Sequence, residues 1–408
     1  MRVILHSDLN NFYASCECLL NPEHIGKPLV VCGKIEDRHG IVLAKNQIAK
    51  DGGVKTGMTL YECRKLFPDI VTVVANHDLY LKYSRKVKSI YKEYTDKVES
   101  FGIDEAWLDV TESVKRYGNG QVIADEIRRR VKEEIGLTVS IGVSFNKVFA
   151  KLGSDLKKPD AVTVIDKSNY KKLIWGLPVE DLLFVGRATK RKLNDLGIKT
   201  IGGLAEFDVN VLKFKFGKVG EKLWMYANGL DMEPVKRCID DDQIKSVGNS
   251  LTFYKDLYNI SDVEMLFYYL AESVSERMKN YKLPYAKTIH ITVINKDLEH
   301  FAFQCALPFQ TSASNVIAES AINLFLKHIN PQMGIRGVGV TVTNFVDSEQ
   351  LVIGEAQNQK DKNVKLDETM EYLRNRFGHK TIDRALITKD ERLRNISPAK
   401  ESINTKNC

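Results

Sequence analysis

KVESFGIDEAWLDVT, residues 97–111, places two neighbouring acids inside an apolar hairpin. It reads as two strands meeting at a turn near Gly102 to Glu105, with Asp104 and Glu105 between Phe101-Gly102-Ile103 and Ala106-Trp107-Leu108. A carboxylate buried without a partner is costly, so these acids call for a basic group, hydrogen-bond donors or a cation. Asp109 shares the face of Trp107 by strand alternation, which fits a supporting role or a solvent-facing one. Upstream, RVILHSD (2–8) is an apolar strand running into Asp8. Asp8, Asp104 and Glu105 on one sheet would repel one another, and a divalent cation with oxygen ligands relieves that repulsion.

Residues 10–20, 45–51, 59–67, 78–94 and 121–135 carry helical patterns, while 27–33, 40–44 and 137–144 read as strands. The order over the first 165 residues is strand–helix–strand–strand–helix–strand, interrupted by a segment near 21–74. It predicts a ferredoxin-like sheet with helices on one face. From 177 short helices are punctuated by glycine. Residues 236–246, with Asp240-Asp241-Asp242, read as a linker, and a second strand–helix series runs from 246. The two series share an element pattern without shared sequence, so no duplication is inferred. A helix is expected near 366–377, and the tail from 395 is expected to fray.

The chain has 408 residues, 43% hydrophobic and 28% charged, which suits two to four globular domains and excludes disordered or fibrous classes. No stretch is apolar enough to span a membrane, and the N-terminus lacks the features of a signal peptide, so a cytoplasmic location is expected. The seven cysteines form no CxxC pair and read as reduced thiols. A net charge of +7 names no partner by itself, but residues 151–200 hold 11 basic against 6 acidic residues.

HSDLNNFYASCE (6–17) and SFGIDEAWLDVTES (100–113) resemble the two metal-binding motifs of Y-family DNA polymerases. GVKTGM (53–58), VSIGVSFNKVFAKLGSDLKKPDAVTVI (139–165) and LPVEDLLFVG (177–186) extend the resemblance in order, to about residue 345. It implies an α+β, multidomain right-hand polymerase: a ferredoxin-like palm (1–20 and 75–165), small fingers (21–74) and a helix-hairpin-helix thumb (166–236). A linker (237–245), an α/β little finger (246–346) and a C-terminal tail (347–408) follow. The implied activity is low-fidelity, lesion-bypass synthesis, with in-line attack of a primer 3′-hydroxyl on a deoxynucleoside triphosphate (dNTP).

By motif position, Asp8, Asp104 and Glu105 would bind two Mg²⁺ ions, replaceable by Mn²⁺, with the Leu9 carbonyl completing one shell. Tyr13 would lie under the sugar as a steric gate against a 2′-hydroxyl. The amides of Asn10, Asn11, Phe12 and Tyr13 open a helix and suit phosphates, and Lys158 would reach the triphosphate. The family's Thr, Tyr and Arg over the nucleotide are Ala44, Gln47 and Lys50 here, which predicts weaker triphosphate binding than in a typical relative. Gly186 with Arg187, and Gly217 with Lys218 and Gly220, would meet DNA in the thumb, although Phe184 replaces a common glycine. Lys287, His290 and Thr292 are candidates in the little finger. In the tail, Gln350, Leu351 and Ile353 resemble a sliding-clamp peptide, with Gly354 where Phe is expected. The expected partners are primer–template DNA, dNTP and the clamp, for a monomer. A catalytically weak DNA binder competing at stalled forks is the alternative suggested by positions 44, 47 and 50. A nucleotidyl cyclase is a third, disfavoured by the thumb-like turns.

Overall fold

The computed structural model describes residues 2–33, 40–237, 244–347, 355–378 and 381–390. They fall into two compact units, divided between Asp240 and Asp241. The first opens with β1 (Ile4–Leu9) and α1 (Phe12–Leu20). The inserted segment then forms β2 (Leu29–Cys32), β3 (Val42–Lys45), α2 (Gln47–Asp51), α3 (Leu60–Leu66) and β4 (Val71–Val74). Its small sheet, ordered β3-β2-β4, packs Val30, Val42, Ala49, Leu60 and Ile70 into a core of its own. Strand β4 was not expected, although its β-branched run VTVV carries the signal for one.

The chain then returns as α4 (His77–Lys92), β5 (Val98–Ser100), β6 (Glu105–Asp109), α5 (Val114–Tyr117), α6 (Gly120–Arg130), β7 (Val139–Ser144), α7 (Lys147–Leu156) and β8 (Val162–Ile165). Asparagines start several of these helices: Asn76, Asn119 and Asn146 each accept a hydrogen bond from a first-turn amide. The large sheet has the order β5-β6-β1-β7-β8. Its first four strands have the ferredoxin-like arrangement, and β8 adds a parallel edge through α7.

One expectation needs correcting, since helices cover both faces of this sheet. Leu5, Leu9, Ala106, Leu108 and Ile141 pack against α4 and α6, whereas Ile4 and Trp107 pack with Ala150 of α7. Helix α7 lies very close because β7 offers Gly142, where a Cβ would stand 1.9 Å from the Ala150 carbonyl oxygen. Every residue of β1 is therefore buried, Asp8 included.

Helices α8 (Tyr170–Ile174), α9 (Arg187–Asp195), α10 (Ile201–Glu206), α11 (Val209–Phe216) and α12 (Lys218–Ala227) complete this unit around Leu193, Leu204, Leu212 and Leu223.

The second unit contains β9 (Ser246–Leu257), α13 (Ile260–Asn280), β10 (Tyr285–Asn295), β11 (His300–Thr311), α14 (Ser314–His328), β12 (Ile335–Val346) and α15 (Glu355–Phe377). Its sheet order, β11-β10-β12-β9, differs from the first despite the same element order, and all neighbours are antiparallel. Within the described part of the tail, Met370 and Ile387 are buried, and Ile387 joins the core of this unit. The tail docks largely through charge. Glu272, 7% exposed, is held by Arg374 at 3.0 Å and by Arg384, and Asp367 accepts the Ser314 amide at 2.7 Å.

Candidate functional site

Strand pairing builds the site. Asp8 of β1 lies directly opposite Glu105 of β6, with Ser140 of β7 on its other side. By alternation His6, Asp8, Glu105 and Trp107 share the face covered by α7. His6 is fully buried, edge-on to Trp107 at 5.2 Å. The Ser154 hydroxyl lies 2.7 Å from the Lys151 carbonyl oxygen and 2.8 Å from His6 Nδ1. His6 Nε2 lies 3.3 Å from Glu105 Oε2.

The turn that carries Asp104 is pinned from behind by α4. Ser84 donates to the Ile103 carbonyl, Lys88 reaches the Gly102 carbonyl at 3.4 Å, and the Tyr91 phenol meets Ser7 Oγ at 2.7 Å. These three sit at i, i+4 and i+7, one stripe of a helix. Gly102 turns at φ 85°, a conformation that favours glycine. The Leu9 amide donates to the Asp104 carbonyl at 3.1 Å, which ties the turn to β1.

Two lysines of the α7 region reach the acids. Lys158 Nζ lies 2.7 Å from Asp8 and 2.8 Å from Asp155, and Lys151 Nζ lies 2.9 Å from Glu105 Oε2. Burial pushes the Asp8 carboxyl up to about 7, against the pull of Lys158. Burial also raises Asp104, helped by the charge of Glu105. Glu105 moves the other way: burial pushes it up, but the neighbouring His6 and Lys151 outweigh that and hold it well below the usual range. The expected convergence of three carboxylates is thus only partly formed. Among the described residues no three acids or histidines close around one point, and ammonium groups stand at Asp8 and Glu105. The donors nevertheless suit a divalent cation in kind. They are hard oxygens, and Glu105 Oε2 is buried without an aligned hydrogen bond.

Tyr13 stacks face to face on the fully buried Tyr80, with centroids 4.2 Å apart, and His77 meets both rings edge-on. The Tyr80 phenol donates to Glu17 at 2.6 Å, so the ring under Tyr13 is itself anchored. Helix α1 has no side-chain cap, which leaves first-turn amides such as those of Phe12 and Tyr13 without one. Asn11 precedes them at φ 50°. Asn10 departs from expectation. Its amide donates to the Thr138 carbonyl, and its buried side chain bonds Ser140 and the Asp160 amide. It is a structural brace.

In the inserted segment Gln47 donates to Asp51 at 2.6 Å and Lys50 is exposed, while Ala44 packs toward the palm core. Half-buried Lys45 was overlooked; burial, and then the nearby Lys50, lower its pKa.

In the thumb, Gly186 caps α9 with open space around it, and Arg187 is exposed. Gly217 turns at φ 61° before exposed Lys218. Gly220 has a packing role that the sequence reading did not include, since a Cβ there would stand 2.2 Å from the Leu212 carbonyl oxygen. Gly220→Ala is accordingly expected to lose about 2 kcal/mol by prying α11 from α12, read as a lower thermal midpoint. Phe184 adopts φ 70° in the glycine position and exposes its ring near Lys222.

In the second unit His290 and Thr292 lie on the open sheet face, alternating with buried Ile289, Ile291 and Val293. Lys287 is exposed beside a bulge. Gln350, Leu351 and Ile353 lie outside the described residues. No helix among the described residues is long and apolar enough to cross a membrane.

Lys151, Asp155, His6, Lys88, Tyr80 and Glu17 were not singled out from sequence. Two signals were available: His6 alternates with Asp8, and Lys151, Asp155 and Lys158 recur at helical spacing.

Family models match three stretches of the chain. They are the impB/mucB/samB family at residues 7–155, a DNA polymerase-iota thumb domain at 180–231, and the impB/mucB/samB C-terminal domain at 244–355. DNA polymerase IV of Acetivibrio thermocellus is 50% identical over 398 residues, covering 97% of this chain and 100% of the relative. DNA polymerase IV of Moorella thermoacetica is 35% identical over 94% of this chain and 95% of the relative. Among solved structures, a Y-family DNA polymerase chimera matches with a TM-score of 0.73 and 25% identity, over 85% of this chain and all of the other.

Proposed function

This chain belongs to the Y-family of DNA polymerases, the impB/mucB/samB family, and from that premise we propose that the Asp8–Asp104–Glu105 face is where it joins nucleotides to a primer. It is a DNA-directed DNA polymerase of the translesion class. The observation that carries the site assignment is the register of β1 and β6, which opposes Asp8 and Glu105 on a covered sheet face beside a lysine pair.

Dependence on divalent metal follows from the family. We assign two Mg²⁺ ions, with Mn²⁺ as a substitute, to the carboxylates of Asp8, Asp104 and Glu105 and the Leu9 carbonyl. When bound they acidify the primer 3′-hydroxyl and offset the charge of departing pyrophosphate. The chain's own residues orient the nucleotide. Lys158 exchanges its contact with Asp8 for the triphosphate, as a point charge on a flexible stem can. The amides of Asn11, Phe12 and Tyr13 face the phosphates, and Lys50 adds charge. Gln47 is already engaged by Asp51, which supports weak triphosphate binding. Gly186, Arg187, Gly217 and Lys218 hold the DNA backbone, and the affinity falls as salt rises.

Tyr13 excludes ribonucleotides by occupying the space of a 2′-hydroxyl, and its stack on Tyr80 keeps the ring from yielding. Tyr13→Ala is expected to raise incorporation of ribonucleotides relative to deoxynucleotides by about 100-fold. Steady-state kcat/KM for the two nucleotide classes measures it, and an unchanged ratio removes the gate assignment. Primer extension across a template carrying a single lesion tests the whole reading. Product past the lesion is expected from the intact chain with Mg²⁺, and none without it.

A further inference from the structure

Lys151 has no task in the polymerase reading, yet its ammonium sits inside the carboxylate cluster. It lies 2.9 Å from Glu105 Oε2, 3.6 Å from Asp8 Oδ2 and 3.4 Å from Asp155 Oδ2. Its side chain is 16% exposed. Helix α7 cannot carry it away from the sheet, because Gly142 brings the Ala150 carbonyl almost onto β7. The ammonium's distance to Glu105 Oε2 is a good one, but the hydrogen bond is not aligned, so this oxygen is neutralised in charge without being saturated. The Glu105 and Asp8 oxygens beside this ammonium belong to the same carboxylates that a catalytic cation needs. Asp155, one turn along α7, offers the ammonium an alternative partner that is 48% exposed.

We propose that Lys151 is the built-in counter-ion of the metal-free enzyme: it holds Asp8 and Glu105 together and competes with the divalent cation for their oxygens, withdrawing to Asp155 when the cation binds. The inference rests on the metal-ligand reading of Asp8, Asp104 and Glu105. It predicts a sign that a merely structural lysine would not give. Loss of a packing residue loosens the cluster and weakens metal binding. Loss of a competing charge strengthens it, by about tenfold for a cation within 4 Å of a ligand oxygen.

The test titrates Mn²⁺ alone onto the full chain, without DNA or nucleotide, and follows free Mn²⁺ by electron paramagnetic resonance. Lys151→Met and Lys151→Gln are expected to bind about tenfold more tightly than wild type, and Lys151→Arg to match wild type. In EDTA the Met variant should melt below wild type, and Mn²⁺ should close that gap. Binding by both neutral variants that equals or falls below wild type overturns the proposal. Asp8→Asn separates the two readings. If it leaves Mn²⁺ binding unchanged, the ligand assignment fails and the Lys151 proposal with it. If it weakens binding while both neutral variants stay at the wild-type value, only the Lys151 proposal fails.

Discussion

Asp104→Ala is expected to slow primer extension by at least about 10³-fold while leaving the fold intact, because the electrostatic part of two-metal catalysis is lost with a ligand. Burial and the charge of Glu105 both raise the Asp104 carboxyl, so the folded protein holds this group at a cost. Alanine relieves that cost, and the turn remains held by Ser84, Lys88 and Gly102. The thermal midpoint should therefore equal or exceed that of wild type. Single-turnover extension on an undamaged template, together with a melting curve, checks both halves. A variant that extends at the wild-type rate removes Asp104 from the site, and one that melts early shows that the turn depends on the acid.

Glu272→Ala in the second unit is expected to cost about 3–5 kcal/mol, the range for breaking a buried ion pair from one side. The substitution strands the guanidiniums of Arg374 and Arg384, whose side chains are 11% and 15% exposed. Asp383 at 3.5 Å and Asp367 at 3.7 Å retain part of the compensation, which favours the lower end. The loss should appear as faster hydrogen exchange along α13, α14 and α15, with the first unit unaffected. If Glu272→Ala exchanges like wild type, the tail is not held by this cluster.

The two sheets show where sequence reading stops. Both units have the element order strand–helix–strand–strand–helix–strand, and hydrophobic periodicity makes that order legible in each. Periodicity reports which residues share a face, not which strand lies beside which. The orders β5-β6-β1-β7 and β11-β10-β12-β9 therefore had to come from the fold. Helix α7 shows the same limit. Its apolar stripe was readable, but its place on the face opposite α4 and α6 depends on Gly142 and Gly153, which admit a helix backbone where other residues would clash. Gly220 was read from the sequence as a glycine for DNA, and only the fold shows that it also lets two helices pack, since a glycine's chemistry is the same in either role.

The sequence alone determined four strands of the palm and its helices near 10–20, 78–94 and 121–135, the acids set into apolar runs at 8, 104 and 105, and the motifs that mark the family. Each is a local pattern: a period, a turn, or a charged residue inside an apolar run. Only the tertiary structure decided that Lys151 and Lys158 neutralise those acids, that His6 and Tyr80 stand behind Glu105 and Tyr13, and that the tail is clasped by Glu272. Lys158 and Asp8 are 150 residues apart in the chain. A charge inside a strand announces that it needs a partner, but its partner is chosen by whichever distant helix the packing brings within reach.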